Sequence, residues 1–261
     1  MSLYDELGDK YDLMIRWKPR LEREAPFFQR LFSEIRAARI LDLGCGTGHH
    51  AHLFRNWGLD VTGVDPSPVL LELARGKGDA KLMLDTEDEK LRFVEADFDQ
   101  FASRVQGPYD AILALGNTLP HIDTLPKLKK LFADVYDLLR PGGVFLLQNR
   151  NYDRLLKTRE RFLLPTTFRE GENEQIFFRF NDFEEERVRF NVVHFTRVGQ
   201  SWVQNIHSTL LSPWRREQIE EILRETGFGA ITLYGDFSGA PFDVDGSQDL
   251  IGLARKSDQK S

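Results

Sequence analysis

The chain has 261 residues, enough for one substantial domain with an insertion or for two small domains, and its formal net charge is −6. A mildly acidic chain with no basic block is a poor candidate for binding nucleic acid or an anionic membrane, so we expect neither partner. A single cysteine, no apolar run long enough to span a bilayer and an acidic N-terminus without a signal-peptide pattern predict a cytoplasmic protein.

Two amphipathic helices are predicted ahead of the first strand. Apolar and aromatic residues recur at helical spacing from Met1 to about Lys18 and again from about Leu21 to Ile35. The segment Trp17-Lys18-Pro19 is expected to separate the two helices. Four residues of this region are candidates to fold over a bound ligand: Tyr4, Tyr11, Trp17 and Arg20. Of these four, we expect Tyr11 and Arg20 to touch the ligand.

The stretch from Ile40 to Asp65 carries the strongest motif. It predicts a buried strand, a glycine-rich turn from Gly44 to Gly48, a helix of about His49 to Trp57 and a second strand that ends at Asp65. The turn glycines lack a Cβ, so the backbone there can bend sharply and approach a ligand closely. The carboxylate at the end of the second strand can accept hydrogen bonds from both hydroxyls of a ribose. This spacing predicts a nucleoside-binding unit.

The residues Leu41-Asp42-Leu43-Gly44-Cys45-Gly46-Thr47-Gly48 resemble motif I of the class I S-adenosylmethionine-dependent methyltransferases. The dinucleotide fingerprint of nicotinamide enzymes differs, because it requires a glycine where this chain has His49. The resemblance implies S-adenosylmethionine as the methyl donor and S-adenosylhomocysteine as the product. It implies that the donor contacts Gly44, Cys45, Gly46, Gly48, Asp65 and Pro66. The thiol of Cys45 is interpreted as a small filler of the turn rather than a reactive group.

Strands then alternate with helices. A helix is predicted from about Val69 to Arg75, and a loop with a frayed helix from Gly76 to Asp88. The third strand is predicted from Leu91 to Asp97, where the carboxylate of Asp97 and the ring of Phe98 are expected to hold the adenine.

The fourth strand is predicted from Tyr109 to Leu115, followed by a helix of about Leu125 to Leu139 and a fifth strand from Val144 to Gln148. This alternation predicts an α/β fold with a doubly wound, Rossmann-like and mostly parallel sheet that carries helices on both faces. Ligands bind at the carboxyl ends of the strands in such sheets. Asn117 and Arg150 follow two of those ends.

Between Asn151 and Ser212 the hydrophobic period changes to two. Alternating strands are predicted over Ile176 to Phe180, Arg187 to Phe195 and Trp202 to Thr209, which indicates an inserted antiparallel β flap. The flap is expected to lie beside the ligand, to serve as a dimerisation arm, or to do both. A helix from Pro213 to about Thr226 and strands over Ala230 to Tyr234 and Leu250 to Ala254 complete the elements, followed by a polar tail.

Three units are predicted from these elements. They are an N-terminal helical cap over residues 1–36, a donor-binding domain over residues 37–150 and 213–256, and the inserted flap over residues 151–212. The oligomeric state is expected to be a monomer or a homodimer.

Methyl transfer needs an aligned acceptor and excluded water rather than a nucleophilic side chain or a metal. The amide of Asn117 can both donate and accept hydrogen bonds, and the guanidinium of Arg150 can grip a carboxylate with its planar fork. These two residues are therefore the candidates for positioning a small acceptor that carries a carboxylate. We expect no metal, because the cluster of His49, His50 and His52 lacks further ligands at tetrahedral spacing.

A second resemblance concerns the acceptor. The segments Gly116-Asn117-Thr118-Leu119-Pro120-His121 and Asn149-Arg150-Asn151-Tyr152-Asp153 are similar to segments of the glycine N-methyltransferase and glycine/sarcosine methyltransferase family. The resemblance implies that Arg150 holds the substrate carboxylate, that Asn117 contacts the amine side, and that His121 and Leu115 line the donor pocket. It favours methylation of an amine on a glycine- or sarcosine-like metabolite.

Three alternatives remain open. The acceptor atom is an oxygen or a carbon of another small metabolite, or the chain is a nicotinamide-dependent oxidoreductase, or it is a nucleoside-binding protein without catalytic activity. The missing third glycine argues against the oxidoreductase. The intact glycines and acids argue against a protein that has lost catalysis.

Overall fold

The computed structural model describes residues 3–77 and 90–258. Its strands are β1 (Arg39–Leu43), β2 (Asp60–Asp65), β3 (Leu91–Glu95), β4 (Tyr109–Ala114), β5 (Leu139–Arg150), β6 (Thr166–Glu170), β7 (Asn173–Phe183), β8 (Val188–Val198), β9 (Ser201–Leu211), β10 (Phe228–Tyr234) and β11 (Asp249–Lys256). Seven of them form one sheet in the order β10-β11-β5-β4-β1-β2-β3. Only β11 runs antiparallel to its neighbours in that sheet. The predicted doubly wound, mostly parallel fold is confirmed.

The order of the strands places a switch point at β1. The chain adds β2 and β3 on one side of β1, then crosses to add β4 and β5 on the other side. Crossover helices diverge at such a point, so a crevice opens outside the carboxyl ends of β1 and β4. The glycine-rich turn follows β1 directly and therefore borders this crevice.

Helices cover both faces of the central sheet. They are α1 (Leu3–Leu7), α2 (Lys10–Ile15), α3 (Trp17–Glu34), α4 (His49–Asn56), α5 (Pro68–Gly76), α6 (Phe101–Arg104), α7 (Leu125–Leu138), α8 (Tyr152–Thr158) and α9 (Arg216–Thr226), with a 3₁₀ turn at Leu119–His121. Ile112 of β4 packs with Phe132 of α7 on one face, and its neighbour Leu113 packs with Phe28 of α3 on the other. Burial on both faces explains why these strands read as continuous apolar runs.

The N-terminal region forms three helices, where the sequence predicts two. Gly8 and Arg16 have positive φ angles, of 52° and 56°, and separate α1, α2 and α3. The prediction that Trp17-Lys18-Pro19 interrupts the helix is wrong, since α3 begins at Trp17. Pro19 is tolerated there because the N–H groups of a helix's first turn have no partner within the helix.

The remaining four strands form an antiparallel sheet in the order β6-β7-β8-β9, called here the flap sheet. The predicted antiparallel strands correspond to β7, β8 and β9, and each is longer than predicted. The sequence analysis missed β6 and α8. The Asn151 side chain caps α8 by accepting a hydrogen bond from the backbone N–H of Arg154 at 3.1 Å, which is a recognisable helix-start signal.

Several other element boundaries differ from those predicted from the sequence. The fifth strand spans Leu139–Arg150 instead of Val144 to Gln148, because β11 pairs along it from Val144 to Arg150 and Leu139 pairs with Tyr109 of β4. The third strand ends at Glu95, and α9 begins at Arg216 rather than Pro213. The loop predicted from Gly76 to Asp88 lies almost entirely outside the described residues.

The N-terminal helices pack against the flap sheet. Leu3, Leu7 and Met14 form an apolar cluster with Phe177 of β7 and Val192 of β8. The carboxylate of Glu6 also lies 2.5 Å from Nδ1 of His207. Through these contacts the N-terminal helices and the flap sheet cover the crevice at the carboxyl ends of the central strands. Within residues 3–77 and 90–258, no helix combines the length and the apolar character needed to cross a bilayer.

Candidate active site

A cleft with about 720 Å³ of empty space, counted to its open mouth, lies over the carboxyl ends of β1, β2 and β4. We call it the main cleft. Its lining comprises Tyr4, Tyr11, Gly44, Gly46, Asp65, Pro66, Ser67, Leu70, Phe98, Leu115, Gly116, Asn117, Thr118, His121 and Thr209. The walls therefore combine the glycine turn, the loops after three strands, the two short N-terminal helices and one flap strand.

Most of the predicted site residues meet in this cleft. The lining includes Tyr11, Gly44, Gly46, Asp65, Pro66, Phe98, Leu115, Asn117 and His121. The other predicted residues lie outside the lining, namely Arg20, Cys45, Gly48, Asp97 and Arg150. The lining residues that the sequence analysis did not single out are Ser67, Leu70, Gly116, Thr118 and Thr209.

Two turn glycines border the main cleft with positive φ angles, and at one of them a close neighbour also leaves no space for a side chain. Gly44 has φ 71°, and a Cβ there would lie 2.6 Å from the side chain of Thr118, so the loop after β4 packs directly on the turn. Gly46 has φ 54°, and its Cβ would project between the ring of Tyr11 and Leu70, 3.8 and 4.0 Å away. A side chain at position 46 would fill the floor of the main cleft.

Asp65 is held in a fixed orientation at the end of β2. Its two carboxylate oxygens accept hydrogen bonds from the backbone N–H groups of Gly46 and Ser67, at 2.8 and 2.9 Å. Burial raises the pKa of Asp65 to about 6 in spite of these two hydrogen bonds. At neutral pH the group is therefore ionised and presents a carboxylate to the cleft.

A second buried acid stands behind the glycine turn. Asp42 is 2% exposed, and its Oδ2 atom has no hydrogen-bond partner among the described residues. Burial and the nearby Asp65 raise the pKa of Asp42 to about 7. The guanidinium of Arg20 lies beside Gly116, and its Nε donates to Glu24 at 2.9 Å. A cation and two buried carboxyl groups, those of Glu24 and Asp42, thus lie behind the main cleft and outside its lining.

Asp12 ties the N-terminal helices to the glycine turn. Its Oδ1 accepts hydrogen bonds from Trp17 Nε1 at 2.8 Å and from the hydroxyl of Thr47 at 2.5 Å. Its Oδ2 lies 2.7 Å from Nζ of Lys77 and 3.2 Å from Nε2 of His49. These partners hold the pKa of Asp12 well below its usual range, although burial opposes them. Sequence reasoning missed this residue, since its partners are scattered along the chain.

Tyr4 and His121 form another part of the wall of the main cleft. Tyr4 Oη lies 2.8 Å from His121 Nε2, and burial lowers the pKa of His121 to about 4. The imidazole is therefore neutral at pH 7 and places no positive charge in the cleft. The ring of Tyr4 also meets that of Tyr11 edge to face, at 5.7 Å between centroids. Aromatic rings beside a neutral imidazole form a wall that attracts a cation.

The side chain of Asn117 is largely committed to the protein itself. Its Oδ1 accepts from the backbone N–H of Arg150 at 3.0 Å, and its Nδ2 donates to Tyr152 Oη at 3.0 Å. Asn117 has φ 72°, a conformation that Asn adopts more readily than most residues. The amide that the sequence analysis treats as free to hold an acceptor thus fastens the loop after β4 to the end of β5.

Arg150 faces a second cavity, between the end of β5 and the flap sheet. This flap cavity has about 1200 Å³ of empty space and is lined by Arg150, Glu160, Phe162, Leu163, Leu164, Pro165, Phe178, Arg179 and Gln248. The backbone N–H of Arg150 donates to the side chain of Asn117, which lines the main cleft. An acceptor in the flap cavity would therefore approach the main cleft from the Asn117 side.

The remaining predicted residues have other surroundings. Asp97 is exposed and lies outside the lining, so its adenine contact stays a prediction. Cys45 is buried, its sulfur is 2.9 Å from where a Cβ on Gly63 would stand, and burial raises the pKa of its thiol. Gly48 is packed by Ala74 and Phe93, which a Cβ would approach to 2.9 Å.

The histidines at the start of α4 contact three different groups. His49 stacks on Trp17 with centroids 4.5 Å apart, and His50 Nε2 lies 2.8 Å from the carboxylate of Glu24. His52 Nε2 lies 2.8 Å from the backbone oxygen of Ala74. His49 and His50 therefore attach α4 to α3, and His52 attaches it to α5.

Comparison with known proteins matches this chain to a protein family and to relatives of known activity. A family model described as a methyltransferase domain matches residues 16–233. A glycine/sarcosine N-methyltransferase of Aphanothece halophytica is 31% identical over 230 residues, which cover 88% of this chain and 80% of that one. A glycine/sarcosine N-methyltransferase of Halorhodospira halochloris is 30% identical over 241 residues, which cover 92% and 84%.

Solved structures share the fold. An S-adenosylmethionine-dependent methyltransferase from Clostridium acetobutylicum superposes with a TM-score of 0.78 at 20% identity, over 97% of this chain and 99% of that one. The S-adenosylmethionine-bound amino pentose methyltransferase CalS10 from Micromonospora echinaspora gives 0.66 at 19% identity, over 90% and 92%. At these identities the likeness concerns the fold.

Proposed function

This chain belongs to the S-adenosylmethionine-dependent methyltransferases, and from that premise we propose that it methylates the amine of a small molecule that carries a carboxylate. The observation that carries the proposal is that Arg150, which lines the flap cavity, donates its backbone N–H to Asn117, which lines the main cleft. This contact links the cleft that contains the glycine turn to the cavity that contains the arginine. The similarity to glycine/sarcosine N-methyltransferases supports an amino acid as the acceptor.

The residues of the main cleft fit the donor. The open face of Gly46 leaves room for it, and the ionised Asp65 offers acceptors for two ribose hydroxyls. We assign the adenosine to the apolar walls at Leu70, Phe98 and Leu115. The guanidinium of Arg20, which lies beside Gly116 of the lining, is assigned to the donor's carboxylate.

When bound, the donor would supply an electrophilic methyl carbon attached to a positive sulfur. The lone pair of the amine would form the new N–C bond while the electrons of the C–S bond pass to sulfur. The protein's part is to hold the amine in line and to exclude water. Tyr4 and Tyr11 attract positive charge with their rings, and the neutral His121 adds none that would oppose it. Arg150 holds the carboxylate of the acceptor so that its amine faces Asn117. The methylated ammonium releases a proton to solvent.

The test is transfer of an isotopically labelled methyl group. We expect the protein, labelled S-adenosylmethionine and an amino acid panel containing glycine and sarcosine to yield a labelled N-methyl product by mass spectrometry. The rate should rise with pH toward the amine's pKa, since only the neutral amine has a free lone pair. The Asp65→Ala variant is the matched control and should lose transfer together with donor binding. Label on oxygen or carbon would contradict the amine assignment, and no product from any acceptor would contradict the proposal.

A further inference from the structure

The flap cavity carries two arginines, one from each sheet. Arg150 ends β5 of the central sheet, and Arg179 lies in the middle of β7. Among the described residues, no carboxylate lies within ion-pair distance of either guanidinium. The acid that also lines this cavity, Glu160, is paired with Arg154 at 3.0 Å. Asp249, which faces Arg150 across β11 and β5, interacts with it electrostatically but forms no close ion pair, so the cavity holds two cations that lack a directly bonded anion within the described part of the chain.

Arg179 is incompletely satisfied. Its Nη2 donates to the hydroxyl of Thr166 at 3.1 Å and to the backbone oxygen of Leu164 at 3.3 Å. Its Nε atom is buried and has no partner among the described residues. Burial and the nearby Arg150 lower the pKa of Arg179. A buried donor without an acceptor is unfavourable, and a second cation beside it adds to the cost. An anion between the two guanidiniums would relieve both.

The other walls of the flap cavity are apolar. Phe162 stacks on Phe178 with ring centroids 5.7 Å apart. Leu164 is 86% exposed and Phe162 is 56% exposed, so these two side chains and Phe178 form an accessible apolar patch. The space of about 1200 Å³, which includes open solvent at the mouth of the cavity, leaves the apolar walls accessible beside the two arginines. These features match a ligand that has an apolar body beside its anionic group.

We propose that Arg179 acts with Arg150 in gripping the acceptor's carboxylate, and that the acceptor is an amino acid with an apolar or aromatic side chain held by Phe162, Leu164 and Phe178. This inference rests on the proposed function, because it describes the acceptor of the same reaction. It makes Arg179 a specificity-determining residue supplied by the flap sheet. Two planar forks can share one carboxylate, and the second fork adds binding that a single arginine does not provide.

The test uses calorimetry on the full chain saturated with S-adenosylhomocysteine. Phenylacetate is the main probe, acetate lacks the ring, and 2-phenylethanol keeps the ring without the carboxylate. We expect phenylacetate to bind at least about tenfold more tightly than either comparison probe, since only it engages both the arginines and the apolar walls. Equal binding of acetate would overturn the apolar part of the proposal. Equal binding of 2-phenylethanol would overturn the carboxylate part.

Variants then identify the residues. Arg179→Gln should weaken phenylacetate about tenfold. Its matched control, Arg169→Gln, makes the same change at an exposed position of β6 and should stay within about twofold of wild type. Undiminished binding by a folded Arg179→Gln protein would overturn the role of Arg179.

A second variant avoids the hydrogen bonds that Arg179 makes within the flap sheet. Leu164→Glu places a negative charge on the exposed wall of the cavity and should repel phenylacetate, whereas Val198→Glu makes the same change at the far end of β8 and should not. Equal binding by these two variants would overturn the site. Failure of wild-type protein to bind S-adenosylhomocysteine would contradict the proposed function itself, so the two failures are distinguishable.

Discussion

Asp65 shows how far spacing along the chain predicts a functional side chain. Its distance from the glycine turn indicates the tip of a neighbouring strand, and the structure has it there, 2.8 Å from the backbone nitrogen of Gly46. What spacing does not predict is the pKa. Burial raises it to about 6, which brings the titration of this carboxyl close to physiological pH.

Donor affinity should therefore fall in mild acid. Below pH 6 the carboxyl of Asp65 takes up a proton, and one of its oxygens then no longer accepts a ribose hydroxyl. We expect calorimetry with S-adenosylhomocysteine to show about tenfold weaker binding at pH 5 than at pH 7. The Asp65→Asn variant should bind weakly at both pH values with little difference between them. Affinity of wild type that is constant from pH 5 to pH 8 would contradict the ribose assignment.

Substitution of Arg150 should weaken binding of the acceptor without weakening binding of the donor. Its guanidinium lies in the flap cavity, outside the lining of the main cleft. Arg150→Lys keeps the charge but loses the planar fork, so the KM for an amino acid acceptor should rise at least about tenfold. The affinity for S-adenosylhomocysteine should stay within twofold of wild type. Arg159→Lys, which makes the same change at an exposed position after α8, is the control. A weaker donor affinity in Arg150→Lys would argue against the proposal that Arg150 holds the carboxylate of the acceptor.

At the scale of elements, the N-terminal helices depend on a few polar contacts. Helices as short as α1 and α2 are not stable alone, so their position comes from packing on the flap sheet and from Asp12. That carboxylate joins Trp17 of α3 to Thr47 of the glycine turn. Tyr4 and Tyr11, which line the main cleft, are carried by the same two helices.

Asp12→Asn should loosen these helices. The amide loses the charge that holds Lys77 and His49, and it cannot accept the present set of hydrogen bonds. We expect faster hydrogen exchange over residues 3–15 and about tenfold weaker binding of S-adenosylhomocysteine. The control is Asp9→Asn, whose carboxylate is 78% exposed and lies 3.8 Å from Lys10. Unchanged exchange in Asp12→Asn would show that apolar packing alone holds the helices.

At the scale of the whole molecule, two buried acids make folding depend on pH. The pKa values of Asp42 and Asp65 are raised, to about 7 and about 6. A carboxyl whose pKa is raised on folding stabilises the folded state while it is protonated. This contribution is complete at pH values below the pKa of the unfolded chain, which is about 4. That contribution is lost as the pH rises through 6 and 7. The ligand-free protein should therefore become less stable over this range because of these two groups.

Asp42→Asn tests this dependence. Removing the ionisable group should shrink the difference in unfolding free energy between pH 5 and pH 8 by on the order of 2 kcal/mol. Urea unfolding without ligand measures the difference, with Asp99→Asn as a control at an exposed position. An unchanged pH dependence in Asp42→Asn would mean that this carboxyl ionises freely in the folded protein.

The sequence by itself determined the parallel core and the glycine turn with its partner Asp65. These features depend on contacts within one strand–helix–strand unit, where residue spacing fixes geometry. It also indicated the antiparallel flap, because a period of two is a local property. Positions such as Leu115 and His121 were predicted for the donor pocket by resemblance, and both line the main cleft.

Only the tertiary structure decided how these parts meet. The hydrogen bond from the backbone N–H of Arg150 to Asn117 spans 33 residues, and Arg179 of the flap lines the same cavity as Arg150 because of how two separate sheets face each other. Asp12 finds its partners Trp17, Thr47 and Lys77 on three different elements. The physical reason is that a polar side chain's partner is chosen by proximity in the folded chain, and local periodicity carries no information about which distant group arrives there.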